Sequence, residues 1–402
     1  MSKISTTINK MNKFCAKNYN STPKVFHSAS NIYLFDENKI PYYDFIAGYG
    51  AVNQGHCHPH ILNEMTKQAG KLTLTSRACY NPVLGDFSEK ITSMFGFDCV
   101  LPTNTGCEAG ETAIKMSRAW GYMKKGIPRN KAHVVFANNN FWGRSIAASS
   151  SSTDPSCYEN YGPYTPEFST IPYDNIDALE KTLSENPNIC AFMFEPIQGE
   201  AGVIVPDSDY LKNVRNICSK YNVLMIADEV QTGVGRTGKL YECKRQEIIP
   251  DILCLGKSLG GGFVPISAVL SSHDIMNCIK PGTHGSTFGG NPLACAVSIA
   301  ALDVMKGEQL AKNAVNVGQF FRDSFQSNKN DIIVDVRGKG LMNAIEFSNS
   351  SIASTVCEKL LENNIFSKVT RDTVIRFTPP LTISKYQMES AIDKIYTSIN
   401  AI

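Results

Sequence analysis

Excess charge is what this sequence most clearly lacks: 39 basic side chains against 37 acidic ones leave a net charge of +2 over 402 residues. So even a balance gives no reason to expect a nucleic-acid or anionic-membrane partner, and any cation that matters must act locally on a specific anion. Long apolar runs are also missing; none reaches the roughly 18 residues of a membrane span. No C-x-x-C pair occurs. The thirteen cysteines are odd in number, run from Cys15 to Cys357, and sit mostly in apolar stretches such as Ile252-Leu253-Cys254-Leu255. That usage fits buried free thiols in a reducing compartment rather than a disulfide framework, with Cys157 expected to be the most exposed. The first thirty residues contain no acid but also no arginine, and organised sequence is expected to begin by about Tyr19, so a cytoplasmic location is expected.

Neither repeats nor Gly/Ser linkers divide the chain. From about residue 97 to 270 short apolar runs alternate with helical stretches. The runs are His133–Ala137, Ala191–Phe194, Val223–Ala227, Ile252–Leu255 and Ile266–Leu270; the helical stretches include Glu108–Tyr122, Ile176–Leu183 and Asp209–Tyr221. This alternation predicts an α/β protein with a mostly parallel sheet covered by helices on both faces. Beyond about Asn291 a long helix, Pro292–Met305, leads into Ile332–Val336, Ala344–Phe347 and Val374–Phe377, a smaller α+β domain. The boundaries expected are an N-terminal segment 1–42, a large domain 43–290 and a C-terminal domain 291–402.

In open parallel sheets, function gathers at the carboxyl ends of strands. Asp228 follows the run Val223–Ala227; an acid there can cap a helix or hold a cationic ligand. Lys257 follows Ile252–Leu255 inside Gly256-Lys257-Ser258-Leu259-Gly260-Gly261-Gly262. A lysine ending a buried strand lies over the sheet crevice, where desolvation favours the neutral, nucleophilic amine. Asp228 and Lys257 on successive strand ends fit a pyridinium paired to the carboxylate, with the lysine on its aldehyde carbon. A phosphate site should accompany them. The turn Thr103-Asn104-Thr105-Gly106-Cys107 runs into a helix whose first amides can take a phosphate, or is simply a tight turn. Phe141 and Arg144 follow His133–Ala137, where a ring could stack on the pyridine and an arginine grip a carboxylate; ordinary packing and a surface arginine are the other reading. His56-Cys57-His58-Pro59-His60 has no second ligand cluster, so no metal site is expected. Gly338-Lys339-Gly340 reads as a tight turn between strands rather than a dinucleotide fingerprint.

Taken together, these stretches resemble the class III (ω-amino acid) aminotransferases of pyridoxal-phosphate fold type I. The stretches that carry the resemblance include Tyr42–His60, Thr103–Tyr122, Phe194–Pro206, Ile226–Gly238, Leu255–Val269, His284–Cys295 and Arg376–Pro380, spread over nearly the whole chain. The resemblance implies pyridoxal 5′-phosphate as cofactor and a homodimer with active sites at the subunit interface. It implies amine transfer from the distal nitrogen of L-ornithine to 2-oxoglutarate, with N-acetylornithine or 4-aminobutyrate as rival donors. It casts Lys257 as the Schiff-base lysine, Asp228 as partner of the ring nitrogen, Gln231 as the contact to the phenolic oxygen, and Phe141 as the stacking ring. Thr105, Gly106 and Cys107 would form the phosphate turn, and Ser286 and Thr287 would reach the neighbouring subunit's phosphate. Tyr19, Tyr49 and Arg144 would bind the amine donor; Arg376 would take the α-carboxylate of glutamate, and Glu200 would shield it. The segment Phe14-Cys15-Ala16-Lys17-Asn18-Tyr19 keeps only part of the family's usual run, and Cys107 and Phe288 replace an aliphatic residue and a tyrosine common elsewhere.

Overall fold

The computed structural model describes residues 3–327 and 330–402. Its centre is a seven-stranded sheet with the spatial order Cys99–Thr103, Ser267–Ser271, Ile252–Leu255, Leu224–Asp228, Ile189–Phe194, His133–Ala137 and Phe168–Ile171. Ser267–Ser271 runs antiparallel to both neighbours; the remaining pairs are parallel. The expected mostly parallel sheet is therefore present.

Strand residues such as Ile189-Cys190-Ala191-Phe192-Met193-Phe194 are buried throughout, because the two-residue period of a strand feeds a packed layer on each face. Phe192, Phe194, Met225, Ala227, Leu253 and Leu255 enter one apolar cluster. Their alternates Ala191, Met193, Leu224, Ile226, Ile252 and Cys254 enter another. The helix Pro292–Gly307 covers the first face through Ala294, Val297, Ala301 and Met305. It starts where Asn291 caps the amide of Ala294 and Pro292 supplies a pre-set first residue. The helix Gly106–Trp120 covers the second face through Ala109, Ala113, Met116 and Trp120.

An antiparallel sheet follows, ordered Ile333–Lys339, Met342–Phe347, Val374–Phe377 and Lys368–Thr370. Gly338-Lys339-Gly340 does turn one strand into the next: Lys339 pairs with Met342, and Gly340 has φ 55°. A side chain at Gly340 would press into the backbone of Arg236 and Thr237, so glycine lets this hairpin dock on the large domain. A third sheet joins Phe26–Ser30, Tyr33–Asp36 and Pro41–Asp44 to Ile365–Phe366 from the far end of the chain.

Structure is already present before Tyr19, where Lys3–Phe14 forms a helix, and one expectation needs correction. Cys157 is only half-exposed, tucked into the short helix Pro155–Tyr158, whereas Cys15, Cys57 and Cys79 are exposed. The sequence stretch around Cys157 is polar, but the N-cap from Asp154 folds it back. All thirteen cysteines are free thiols.

Candidate active site

The parallel strands bring their carboxyl ends to one edge of the sheet, and the unusual residues converge there. Asp228 ends Leu224–Asp228 and is not a helix cap; its Oδ1 accepts the amide of Val230 two residues on, at 3.0 Å. Burial pushes its carboxyl up to about 6, while the Val230 amide and the Lys257 charge pull the other way. A carboxyl in this state gains most from a cationic partner, which the structure places nowhere in direct contact among the described residues.

Lys257 lies two residues beyond Ile252–Leu255 with φ 45°, the left-handed region that a lysine seldom adopts. Such strain persists where the surroundings over-determine it, and it concentrates at functional sites. Burial lowers the Lys257 pKa; Glu200 works against that, Arg376 adds to it, and Glu195 and Asp228 again oppose it. Five groups from four segments thus share one electrostatic neighbourhood.

Arg376, 8% exposed on the strand Val374–Phe377, donates to Glu200 through both terminal nitrogens, at 2.8 and 3.2 Å. This bidentate pair joins the small antiparallel sheet to the loop after Ile189–Phe194. Burial pushes Glu200 up, but the Arg376 and Lys257 charges outweigh it and leave the carboxyl below its ordinary value. The Tyr49 ring covers the guanidinium at 5.7 Å, and Tyr49 itself holds φ 58°.

Gln231 stands between these groups. Its Nε2 makes long contacts of 3.4 Å to the Tyr49 carbonyl and to Glu200, and its Oε1 is buried without a hydrogen-bond partner among the described residues. An orphaned polar atom in such a place is a group waiting for a ligand.

The phosphate turn starts a helix as expected, two residues earlier than the apolar pattern suggests. Thr105 accepts the Glu108 amide and Glu108 reaches back to the Thr105 amide, a capping box that leaves the Gly106 and Cys107 amides at the open end. Gly106 has to be glycine: a Cβ there would stand 2.8 Å from Val230, the residue that also holds Asp228 in place. Cys107 packs against Gly143, where a Cβ would meet the sulfur.

These features fit pyridoxal 5′-phosphate. Amides at a helix start would take its phosphate, Asp228 would pair with its ring nitrogen, Gln231 would meet its phenolic oxygen, and Lys257 would supply the amine. Phe141 lies half-buried at this edge with Arg144 over its ring at 5.6 Å, and Arg144 is exposed to solvent.

The remaining expected residues are less gathered. Ser286 accepts from Asn104 at 2.7 Å, which docks its loop at the chain's own phosphate turn, and Thr287 is exposed. Tyr19 is 69% exposed, and no hydrogen bond joins it to the group among the described residues. His56 and His58 go to separate carboxylates, Asp44 at 2.7 Å and Glu308 at 2.9 Å.

Sequence reasoning missed Glu195, which follows the strand Ile189–Phe194 and accepts the amides of Phe141 and Gly199. Burial and the neighbouring Asp228 push its carboxyl up to about 8. The rule that found Asp228, an acid just past a buried parallel strand, applies to it equally. Arg236 was missed as well. It is fully buried and donates to Leu341, Pro379 and Asn53.

A lysine and an acid on neighbouring strand ends, a helix-start phosphate turn and a covered arginine define a pyridoxal-phosphate enzyme of the fold type I kind. The chain belongs to the class III aminotransferases, whose family model matches residues 14–399. Among curated relatives, the mitochondrial ornithine aminotransferase of Drosophila melanogaster is 53% identical over 388 residues, covering 96% of this chain and 90% of that protein. The ornithine aminotransferase structure from Toxoplasma gondii superposes with a TM-score of 0.98 at 47% identity, covering 100% of this chain and 96% of that one. An acetylornithine aminotransferase from Elizabethkingia anophelis superposes at 0.92 with 46% identity, covering both chains fully.

Proposed function

We propose that this chain transfers the δ-amino group of L-ornithine to 2-oxoglutarate, producing L-glutamate 5-semialdehyde and L-glutamate. The observation that carries this reading is the bidentate Glu200–Arg376 pair beside Lys257. One site must seat a dibasic amino acid in one half-reaction and a dicarboxylate in the other. With ornithine bound through its α-carboxylate to Arg144, a bare Arg376 would repel the donor and lie desolvated, at a cost of roughly 3–5 kcal/mol for an unpaired buried charge. Glu200 cancels that charge. When 2-oxoglutarate arrives, its carboxylate replaces Glu200 on the same fork of donors, since a bidentate guanidinium–carboxylate contact is strong in either partnership.

Pyridoxal 5′-phosphate, when bound, supplies the aldehyde that takes up the amine and the ring that draws electron density from the reacting carbon. The chain's residues do the rest. Asp228 would hold the ring nitrogen protonated, Phe141 and Gln231 would orient the ring, and the Gly106 and Cys107 amides would anchor the phosphate. Lys257 Nζ, whose pKa burial lowers, would remove the proton from the amine-bearing δ-carbon as general base. The low exposure of Arg376 and the Tyr49 ring above it keep water away from the exchanged ion pair.

A homodimer is part of the same proposal. The exposed Phe288 borders an apolar hollow lined by Leu74, Val264, Pro265 and Leu293, next to the docked Ser286. Sedimentation of the native protein at the mass of one chain would refute it.

N-acetylornithine is the second reading, supported by the Elizabethkingia anophelis likeness. Single-turnover absorbance of the holoenzyme with ornithine, N-acetylornithine and 4-aminobutyrate separates the donors. Ornithine should convert the cofactor fastest; faster conversion by either rival would overturn the assignment.

A further inference from the structure

Glu195 holds together two loops that the proposed chemistry uses separately. Its Oε1 accepts the Phe141 amide at 3.0 Å and its Oε2 the Gly199 amide at 3.1 Å. Phe141 carries the ring expected against the cofactor. Gly199 immediately precedes Glu200, the shield of Arg376. The backbone at Glu195 is fixed in turn by the Tyr173 hydroxyl, which donates to the carbonyls of Glu195 and Pro196 at 3.1 and 3.0 Å. A second tie runs between the same loops, from Gln198 Nε2 to the Asn138 carbonyl at 2.7 Å. Gly199 has to be glycine, because a Cβ there would overlap Gln231 Oε1.

A neutral side chain or a water could satisfy two amides without burying a charge. Here the carboxylate is 7% exposed and sits beside a second buried acid. Burial and like charge both oppose its ionisation, and such placements concentrate where function requires them. Hydrogen bonds to an ionised acceptor are about twice as strong as neutral ones and shorter, so Glu195, once a cation at Asp228 favours its ionised form, sets the two loops more firmly than an amide could.

We infer that Glu195 is a positioning residue that couples the cofactor-stacking loop to the specificity switch, holding Phe141 on the ring and Glu200 at the height where it meets Arg376. This deepens the proposed ornithine reaction and rests on it. The coupling also runs from cofactor to switch. A cationic ring nitrogen at Asp228 offsets the like charge that Glu195 feels, which strengthens its hold on Gly199 once the cofactor is in place.

Two variants test this. Glu195→Gln keeps the size but turns an NH2 group toward one of the two amides, so one tie breaks. Glu195→Asp keeps the charge but is one methylene too short to span both. Fluorescence titration of each apoprotein with pyridoxal 5′-phosphate should show affinity weakened by about tenfold, the loss of one charge-assisted hydrogen bond. Stopped-flow spectra should show the ornithine half-reaction slowed about tenfold more than the glutamate half-reaction, since a loosened Glu200 uncovers Arg376 to a cationic donor. A merely structural role would lower thermal stability and slow both half-reactions alike with native cofactor affinity; that result overturns the inference. Should Glu195→Gln fail to fold, Glu195→Asp decides on the same readouts. If the native enzyme accepts no ω-amino donor, the proposed function fails, while the affinity titration still decides whether Glu195 holds the cofactor loop.

Discussion

Glu200 and Arg376 are individually unremarkable as residue types, and their meaning comes from the low exposure of one and the two-point contact of the other. Arg376 pays no penalty only while a carboxylate lies on it. Glu200→Ala should therefore slow the ornithine half-reaction by about tenfold or more, because the donor meets an uncovered guanidinium, and change the glutamate half-reaction by less than about threefold. Stopped-flow cofactor spectra read the two separately; equal slowing would remove the switch from the account. Lys257 was legible in the sequence because a lysine ending a buried apolar run is out of place, and Asp228, which could as well have capped a helix, became legible beside it on the neighbouring strand end. Arg376 and Glu200 were not legible that way. Their strands lie in different sheets, and only the resemblance to a family joined them before the structure placed them 2.8 Å apart.

At the scale of elements, the parallel strands were readable because burial on both faces leaves continuous apolar runs, and His133–Ala137 and Ile252–Leu255 coincide with their predicted bounds. Helix starts were less readable. Gly106–Trp120 begins two residues before its apolar pattern, since its start is set by the Thr105–Glu108 capping box rather than by burial. Arg236 was opaque for a stronger reason: its partners are backbone carbonyls of Leu341 and Pro379 and the side chain of Asn53, at sequence separations of 105, 143 and 183. No local pattern announces such contacts. This one guanidinium pins the loop after Leu224–Asp228 to the hairpin of the small sheet and to the segment just past Arg376. Burial lowers it to about 9 against the Asp44 charge, and its hydrogen bonds go to neutral acceptors. Lysine cannot reach three acceptors in a fixed fork. Arg236→Lys should cost about 2–4 kcal/mol in urea unfolding and raise KM for 2-oxoglutarate, whose arginine stands three residues before Pro379. A change below about 0.5 kcal/mol, the usual range for an inconsequential site, would show that the pin is idle.

For the whole molecule, the sheet edge concentrates buried acids in a way that sets how stability responds to pH. Three carboxyls lie there with raised values: Asp228 from 3.8 to about 6, Glu229 from 4.5 to about 7, and Glu195 from 4.5 to about 8. A raised carboxyl binds its proton more tightly in the folded chain than in the unfolded one. Its contribution is fully present below the unfolded value near 4 and is lost as pH climbs through the folded value. The loss should therefore fall between about pH 4 and pH 8 for these three groups. Lys257, lowered by burial, pulls the other way as pH rises through its folded value, and Arg236 does so only near 9, at the top of the window. Above pH 6 Glu229 and Glu195 still lose against one lysine, so the apoprotein should melt about 5 °C or more lower at pH 8.5 than at pH 6. Bound pyridoxal 5′-phosphate changes the balance, because a ring cation at Asp228 favours the ionised carboxylate and eases the repulsion on Glu195. The holoprotein should accordingly lose less over the same interval. Scanning fluorimetry of both forms measures the two slopes, and an apoprotein melting temperature that stays level or rises from pH 6 to 8.5 would show that these carboxyls carry no proton in the folded state at neutral pH.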